Sequence, residues 1–317
     1  MKPAPQYEFT EKQHEAVRRS RRLEYTTLAY LGSLIPIMYV VLGSSQAMKT
    51  AWVEDCLSLI PPLCFLIGTH ICWKKPNKHF PYGYHRVISI LFLCAALALL
   101  GMGTFLIIDA SMKLVTQDYP TIGMMELFGV DVWLGWWMIL VLSWGTFPPL
   151  FLGRAKLKYA WTLNDKILLT DGKMNKADWE TGVAAIAGVL GAGMGWWWAD
   201  PVAAGFIAFG IIKDGWSQTK DAVTGLVNRA PTSLENEYLN LPDKVNDALL
   251  EFPWVGRAQN RLYEHGHLIF GEGFVSLKEH EPISPDQIQD AIQKIQDLDW
   301  RLQNFTLTVL PEEKEQQ

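Results

Sequence analysis

The sequence predicts an α-helical membrane protein, a bundle of six spanning helices followed by a small α+β domain. Three observations carry that prediction. Apolar residues crowd into 26–227. Six stretches within that region approach the roughly 20 apolar residues needed to cross a bilayer. Beyond Arg229-Ala230-Pro231 the composition turns polar and alternates like a soluble domain.

The six stretches are expected near 26–45, 50–73, 87–114, 130–153, 165–197 and 200–227. The fifth is the least apolar, because its first half carries Asp171, Lys173, Lys176 and Asp178. Basic residues set the orientation, since Lys and Arg are retained on the cytoplasmic side. Arg18, Arg19, Arg21 and Arg22 precede the first stretch; Lys74, Lys75, Lys78 and Arg86 follow the second; Arg154, Lys156 and Lys158 follow the fourth. Both termini are therefore expected in the cytoplasm of a multi-pass protein, in the inner membrane if the source is bacterial. Residues 1–25 form a cytoplasmic segment with no apolar core, so the first spanning helix is expected to act as its own insertion signal. Trp133, Trp136, Trp137 and Trp196, Trp197, Trp198 are expected at the outer interface, where amphipathic indoles settle.

The polar domain is expected over 229–311, with a polar tail at 312–317. Leu239 to Phe252 reads as an amphipathic helix. Val255 to Tyr263 and His267 to Leu277 read as strands around a turn at His265-Gly266. Pro285 to Leu298 reads as a helix capped by Ser284, and Leu302 to Leu310 alternates like a strand. Gly271-Glu272-Gly273 reads as a strand bulge. The four cysteines, Cys56, Cys64, Cys72 and Cys94, lie in apolar stretches without metal-ligand spacing and read as small buried hydrophobes.

Charges inside spanning segments are costly and point to function. The second stretch carries Lys49, Glu54 and Asp55, with Ser58 one turn after Glu54. The fifth carries Asp171, Met174 and Asp178, whose spacing of three then four places them on one helical face. Two such helices facing each other bring together side chains able to hold a cation, and carboxylates in that site also bind protons. A second reading of the same residues is structural: Lys49, Lys173 and Lys176 neutralise Asp55, Asp171 and Asp178 and hold helices together. The net charge of −5 and the lack of a basic stripe argue against nucleic acid. No nucleophile–base pairing, phosphate-cradling loop or hydrolase motif supports an enzyme.

Four segments resemble the cation diffusion facilitators. Phe80-Pro81-Tyr82-Gly83-Tyr84-His85-Arg86 is similar to that family's loop before its third helix. Thr170 to Asp178 followed by Ala199-Asp200-Pro201 is similar to its fifth helix and the start of its sixth. Leu226-Val227-Asn228-Arg229-Ala230-Pro231 is similar to the exit from its sixth helix, and the order of the polar domain matches its ferredoxin-like cytoplasmic domain. The resemblance implies a homodimeric secondary transporter exporting a divalent metal cation in exchange for protons, with no permanently bound cofactor.

By that resemblance the transport site falls on Glu54, Asp55, Ser58, Met174 and Asp178, with Glu54, Asp55 and Asp178 as metal ligands. Lys49, Asp171, Lys173 and Lys176 stand as proton or salt-bridge partners. Counting from other landmarks shifts the second-helix pair to Val53 and Leu57, or to Asp55 and Leu59. Thioether and hydroxyl groups are poor zinc ligands, so two other readings stay open: a proton-coupled carrier of another substrate with a salt-bridged site, or a non-transporting membrane partner or sensor. Further candidate metal ligands are His79, His85, His265, His267, Glu272 and His280. The family's cytoplasmic ligand positions fall on Gln259, Glu272 and Thr308.

Overall fold

The computed structural model describes residues 11–71, 74, 76–118, 122–127, 130–163, 165–234, 237–266, 268–278 and 283–310; side chains 12, 13, 125, 127, 130, 176, 177 and 303 lie outside the description. The chain divides into two compact units, one comprising 10–74 and 90–223, the other 75–89 with 224–310 among the described residues. In chain order the elements are α1 (Glu11–Val40), α2 (Gln46–Leu57), α3 (Ile60–Ile71), α4 (Arg86–Thr116), β1 (Met124–Leu127), β2 (Val130–Trp133), α5 (Leu134–Leu163), α6 (Lys166–Gly193), α7 (Ala199–Leu226), α8 (Leu241–Leu250), β3 (Val255–His265), β4 (Leu268–Leu277), α9 (Pro285–Leu298) and β5 (Leu302–Leu310).

The first unit is helical. Among the described residues, three segments, 46–71, 86–116 and 134–163, are long and apolar enough to cross a membrane. The helices α1, α6 and α7 have 30, 28 and 28 residues, a sufficient length at 1.5 Å per residue, but are more polar. Hence, among the described residues, three segments meet the combined test of length and hydropathy. The outward faces invert the usual soluble pattern. On α5, Trp136, Leu140, Trp144, Phe147 and Phe151 follow one another at helical spacing, each at least 59% exposed. Such a continuous apolar stripe fits a hydrocarbon surrounding.

Several boundaries differ from the sequence expectation. The first helix begins by Glu11 rather than near 26, so the arginine-rich segment continues the helix. The second stretch is two helices, because Pro61 and Pro62 supply no backbone N–H to carry the ladder through Ser58 and Leu59. Residues 130–133 are not helical: they pair antiparallel with 124–127, Met124 opposite Trp133. Trp196, Trp197 and Trp198 lie beyond the end of α6, in the turn into α7, with the rings of Trp196 and Trp198 stacked 6.0 Å apart. Among the cysteines, Cys64 is buried but Cys94 is exposed, and Cys72 lies outside the described residues.

The second unit holds a three-stranded sheet in the order β3-β4-β5. β3 and β4 form an antiparallel hairpin, and β5 runs parallel to β4 after the α9 crossover. α8 and α9 bury Val245, Leu249, Ala291 and Ile295 against Leu262, Ile269, Val275 and Phe305. Ser284 and Gln287 complete a reciprocal capping box at the start of α9. Gly271 and Gly273 are paired regularly rather than bulged, and the register shifts lie at Val255/Arg257 and, against β5, at Ile269/Phe270. They are glycines for space: a Cβ on Gly271 would stand 2.9 Å from the Phe305 ring, and one on Gly273 2.6 Å from it.

Candidate functional site

A small cavity of about 20 Å³ lies inside the helical unit, room for a single water-sized guest. Its polar lining is Glu54 and Asp55 from α2, Asp178 and Thr181 from α6, and Thr146 from α5. Met38, Ala51, Leu142, Gly145 and Gly182 complete the wall. Gly182 allows α5 and α6 to close here, since a Cβ on it would stand 2.1 Å from the Thr146 hydroxyl. Thr146 Oγ1 donates to the Leu142 carbonyl at 2.8 Å, and Thr181 Oγ1 to the Asp178 carbonyl at 2.9 Å. Both hydroxyl oxygens thus keep lone pairs for a guest. The polar side chains offer oxygen only.

The residues expected at the site separate into two groups. Glu54, Asp55 and Asp178 share the cavity, whereas Val53 and Leu57 of one alternative register belong to the apolar core and Leu59 of the other packs against it. Ser58 and Met174 do not line it. Ser58 caps α2, its hydroxyl donating to the Glu54 carbonyl at 3.0 Å. The Met174 sulfur accepts the Gln218 amide of α7 at 3.2 Å. Among the described residues no three His, Cys, Asp or Glu side chains group closely enough to hold a metal ion.

The expected salt-bridge pairs are replaced by others. Lys49 bonds Asp109 of α4 at 2.7 Å rather than Asp55. Asp171 is paired with Lys156, which the sequence placed in a basic connection but which is fully buried on α5. Lys156 also lies 3.0 Å from Glu24 of α1. The Asn175 amide donates to Asp171 Oδ1 at 2.8 Å. Lys173 is exposed, and the Lys176 side chain lies outside the described residues.

A second polar cluster anchors the start of α2. Asp200, fully buried at the start of α7, accepts the Ser45 hydroxyl, the Gln46 N–H and the Ala47 N–H. Its charge sits at the positive end of the helix that carries Glu54 and Asp55. Asp109 accepts the Gln46 side-chain amide beside Lys49.

In the other unit, His265 is engaged structurally. His265, one of the candidate metal ligands, is 8% exposed and stacks on Phe270 at 4.4 Å. Arg86 Nε donates to its Nδ1 at 3.2 Å. Burial, and then the Arg86 charge, push His265 down to about 4, so the ring is neutral near pH 7. Gln259, Glu272 and Thr308 lie exposed on the sheet. His267 and His280 fall outside the described residues.

The comparisons with known proteins agree with this architecture. A family model described as the cation efflux transmembrane domain matches residues 25–227, more than half of the chain. Metal tolerance protein 4 of Oryza sativa subsp. japonica is 28% identical over 255 residues, covering 78% of this chain and 59% of that protein. The manganese efflux system protein MneS of Bacillus subtilis is 23% identical over 196 residues, 62% of this chain and 63% of MneS. A cadmium, cobalt and zinc/H(+)-K(+) antiporter of Bacillus velezensis is 23% identical over 216 residues, covering 67% of this chain and 61% of the antiporter. The chain thus spans about three fifths of the length of these relatives.

Proposed function

Because the chain belongs to the cation efflux family, a family of membrane transporters, we propose that it exports a hard divalent cation of the manganese type from the cytoplasm in exchange for protons. The observation that carries this reading is the lining of the cavity: three carboxylates and two threonine hydroxyls, with no imidazole or thiolate. Oxygen donors suit Mn²⁺ and similar hard ions, whereas zinc prefers histidine and cysteine. The Met174 sulfur, which would favour a soft ion, is turned to Gln218. Carboxylates must shed protons to bind a cation, which supplies the coupling. The name of MneS supports manganese as a cargo among the relatives; that of the antiporter supports proton exchange.

The salt-bridged carrier is less well supported. Lys49 and Lys156 engage Asp109, Glu24 and Asp171, not the cavity carboxylates. In this reading all six long helical segments span the membrane and both termini are cytoplasmic. The family resemblance makes a homodimer the expected assembly.

The test is purified protein in liposomes with an imposed pH gradient. Gradient-dependent Mn²⁺ uptake exceeding Zn²⁺ uptake, and reduced at least about tenfold by Asp178→Asn, is the expected result. Preference for Zn²⁺ would overturn the hard-ion assignment. Absence of any flux in folded protein would overturn transport.

A further inference from the structure

A lysine with no exposed surface, set among two buried carboxylates, is rare inside a helix bundle. Lys156 of α5 joins Glu24 of α1 and Asp171 of α6, so one ammonium ties three helices together. The same three helices contribute Met38, Thr146 and Asp178 to the cavity.

The displacement from cavity to cluster has one direction on every helix. From Met38 to Glu24 is fourteen residues back along α1, about 21 Å at 1.5 Å per residue. From Thr146 to Lys156 is ten residues forward along α5, about 15 Å, and from Asp178 to Asp171 seven residues back along α6, about 10 Å. Since α5 runs opposite to α1 and α6, all three steps lead to the same end of the bundle. That end carries Arg18, Arg19, Arg21 and Arg22 on α1 and Arg154 and Lys158 on α5. At the other end stand Asp200, Ser45 and Gln46, with Asp109 and Lys49.

We propose that Glu24, Lys156 and Asp171 form an ionic lock that closes the carboxylate cavity toward the arginine-rich end, and that the cavity opens to that side only when the lock releases. This rests on the cavity being a transport site. Removing the lysine from such a cluster strands two buried carboxylates, whereas neutralising all three groups strands no charge. The lock can therefore be loosened in a protein that still folds. Its packing fits the role: Ser20, Thr27 and Asn175 beside it are also buried.

The experiment uses full-length protein in sealed vesicles of both orientations. Cys56, Cys64, Cys72 and Cys94 are replaced by serine, and Thr146→Cys reports access to the cavity. A membrane-impermeant cationic methanethiosulfonate is added from one side at a time. With Glu24→Gln/Lys156→Met/Asp171→Asn, labelling from the arginine-rich side should accelerate at least about tenfold, and labelling from the opposite side should not. Asp171→Asn alone leaves one ammonium facing one carboxylate and should accelerate the same side by a smaller factor. It decides the matter if the triple variant does not fold. Unchanged rates, or equal acceleration from both sides, would overturn the lock. Mn²⁺ flux of the parent is measured in parallel. Asp178-dependent flux with side-independent labelling removes the lock alone; side-dependent labelling without any flux removes the transport reading and keeps the lock.

Discussion

Replacing Asp200 by alanine should loosen the start of α2 and with it the placement of Glu54 and Asp55. Asp200 is fully buried and accepts the Gln46 and Ala47 N–H groups and the Ser45 hydroxyl. The hydroxyl can rotate to another acceptor, but the two backbone donors cannot. A buried donor left unmatched costs about 1–3 kcal/mol, and losing a charge from a helix N-terminus adds about 0.3–1 kcal/mol. The expected loss is therefore about 2–7 kcal/mol. At about 2–4 °C per kcal/mol, even the lower figure shifts the apparent Tm by about 4–8 °C. Asp200→Asn keeps an acceptor oxygen and should lose less. The assay is intrinsic tryptophan fluorescence of detergent-solubilised protein on heating, alongside Mn²⁺ flux. A Tm of Asp200→Ala within about 2 °C of the parent, below the smallest shift the two orphaned donors allow, would refute the anchoring role.

Three further perturbations test other parts of the structure. His265 has a folded-state value of about 4 against 6.5 for the unfolded chain. Between those values the unfolded chain binds more protons, so stability falls as pH drops from 6.5 to 4, by up to about 3 kcal/mol, and is flat above; His265→Phe should reduce that slope in unfolding measured at pH 4.5 and 7, and an unaltered slope would count against it. Gly266 has φ of +66°, and a Cβ there would stand 2.6 Å from the His85 carbonyl; Gly266→Ala should destabilise by at least about 1–2 kcal/mol, seen as faster hydrogen exchange in both the 76–86 loop and the β3–β4 turn. Lys156→Met alone strands two buried carboxylates and should destabilise by about 3–5 kcal/mol, more than the triple neutral variant, by thermal unfolding; the reverse order would show that the cluster is not held by charge.

Much of the architecture follows from periodicity that the sequence displays. The strand and helix order of the polar domain and the Ser284 cap rest on local rules, and the structure contains both; the turn expected at His265-Gly266 begins only after His265, which is still in β3 opposite Leu268. The breaks that local hydropathy hides are the ones made by backbone chemistry. Pro61 and Pro62 are apolar on any scale, yet they divide the second stretch. The 130–133 segment reads as part of an apolar helix, yet alternates Val, Asp, Val, Trp and forms a hairpin.

The cavity and its surroundings were legible to different degrees for a physical reason. Glu54, Asp55 and Asp178 stand out because they are acids in apolar stretches. Lys156 does not, because Arg154 and Lys158 on either side make it look like part of a solvated basic run. Helical phase separates it from them. On α5 the last five buried residues are Pro149, Gly153, Lys156, Ala160 and Leu163, spaced four, three, four and three. On α1 the buried series Ser20, Glu24, Thr27, Leu31, Leu34 and Met38 has the same rhythm. Read by phase rather than by composition, both helices carry a polar stretch on the face that farther along lines the cavity. A charge on that face cannot reach water by a change of rotamer, so it must find an opposite charge on a neighbouring helix. The arginines share neither constraint nor partner. Such a stretch resists substitution by packing and by charge together, which is why neutralising Glu24, Lys156 and Asp171 jointly separates the two contributions where single replacements cannot.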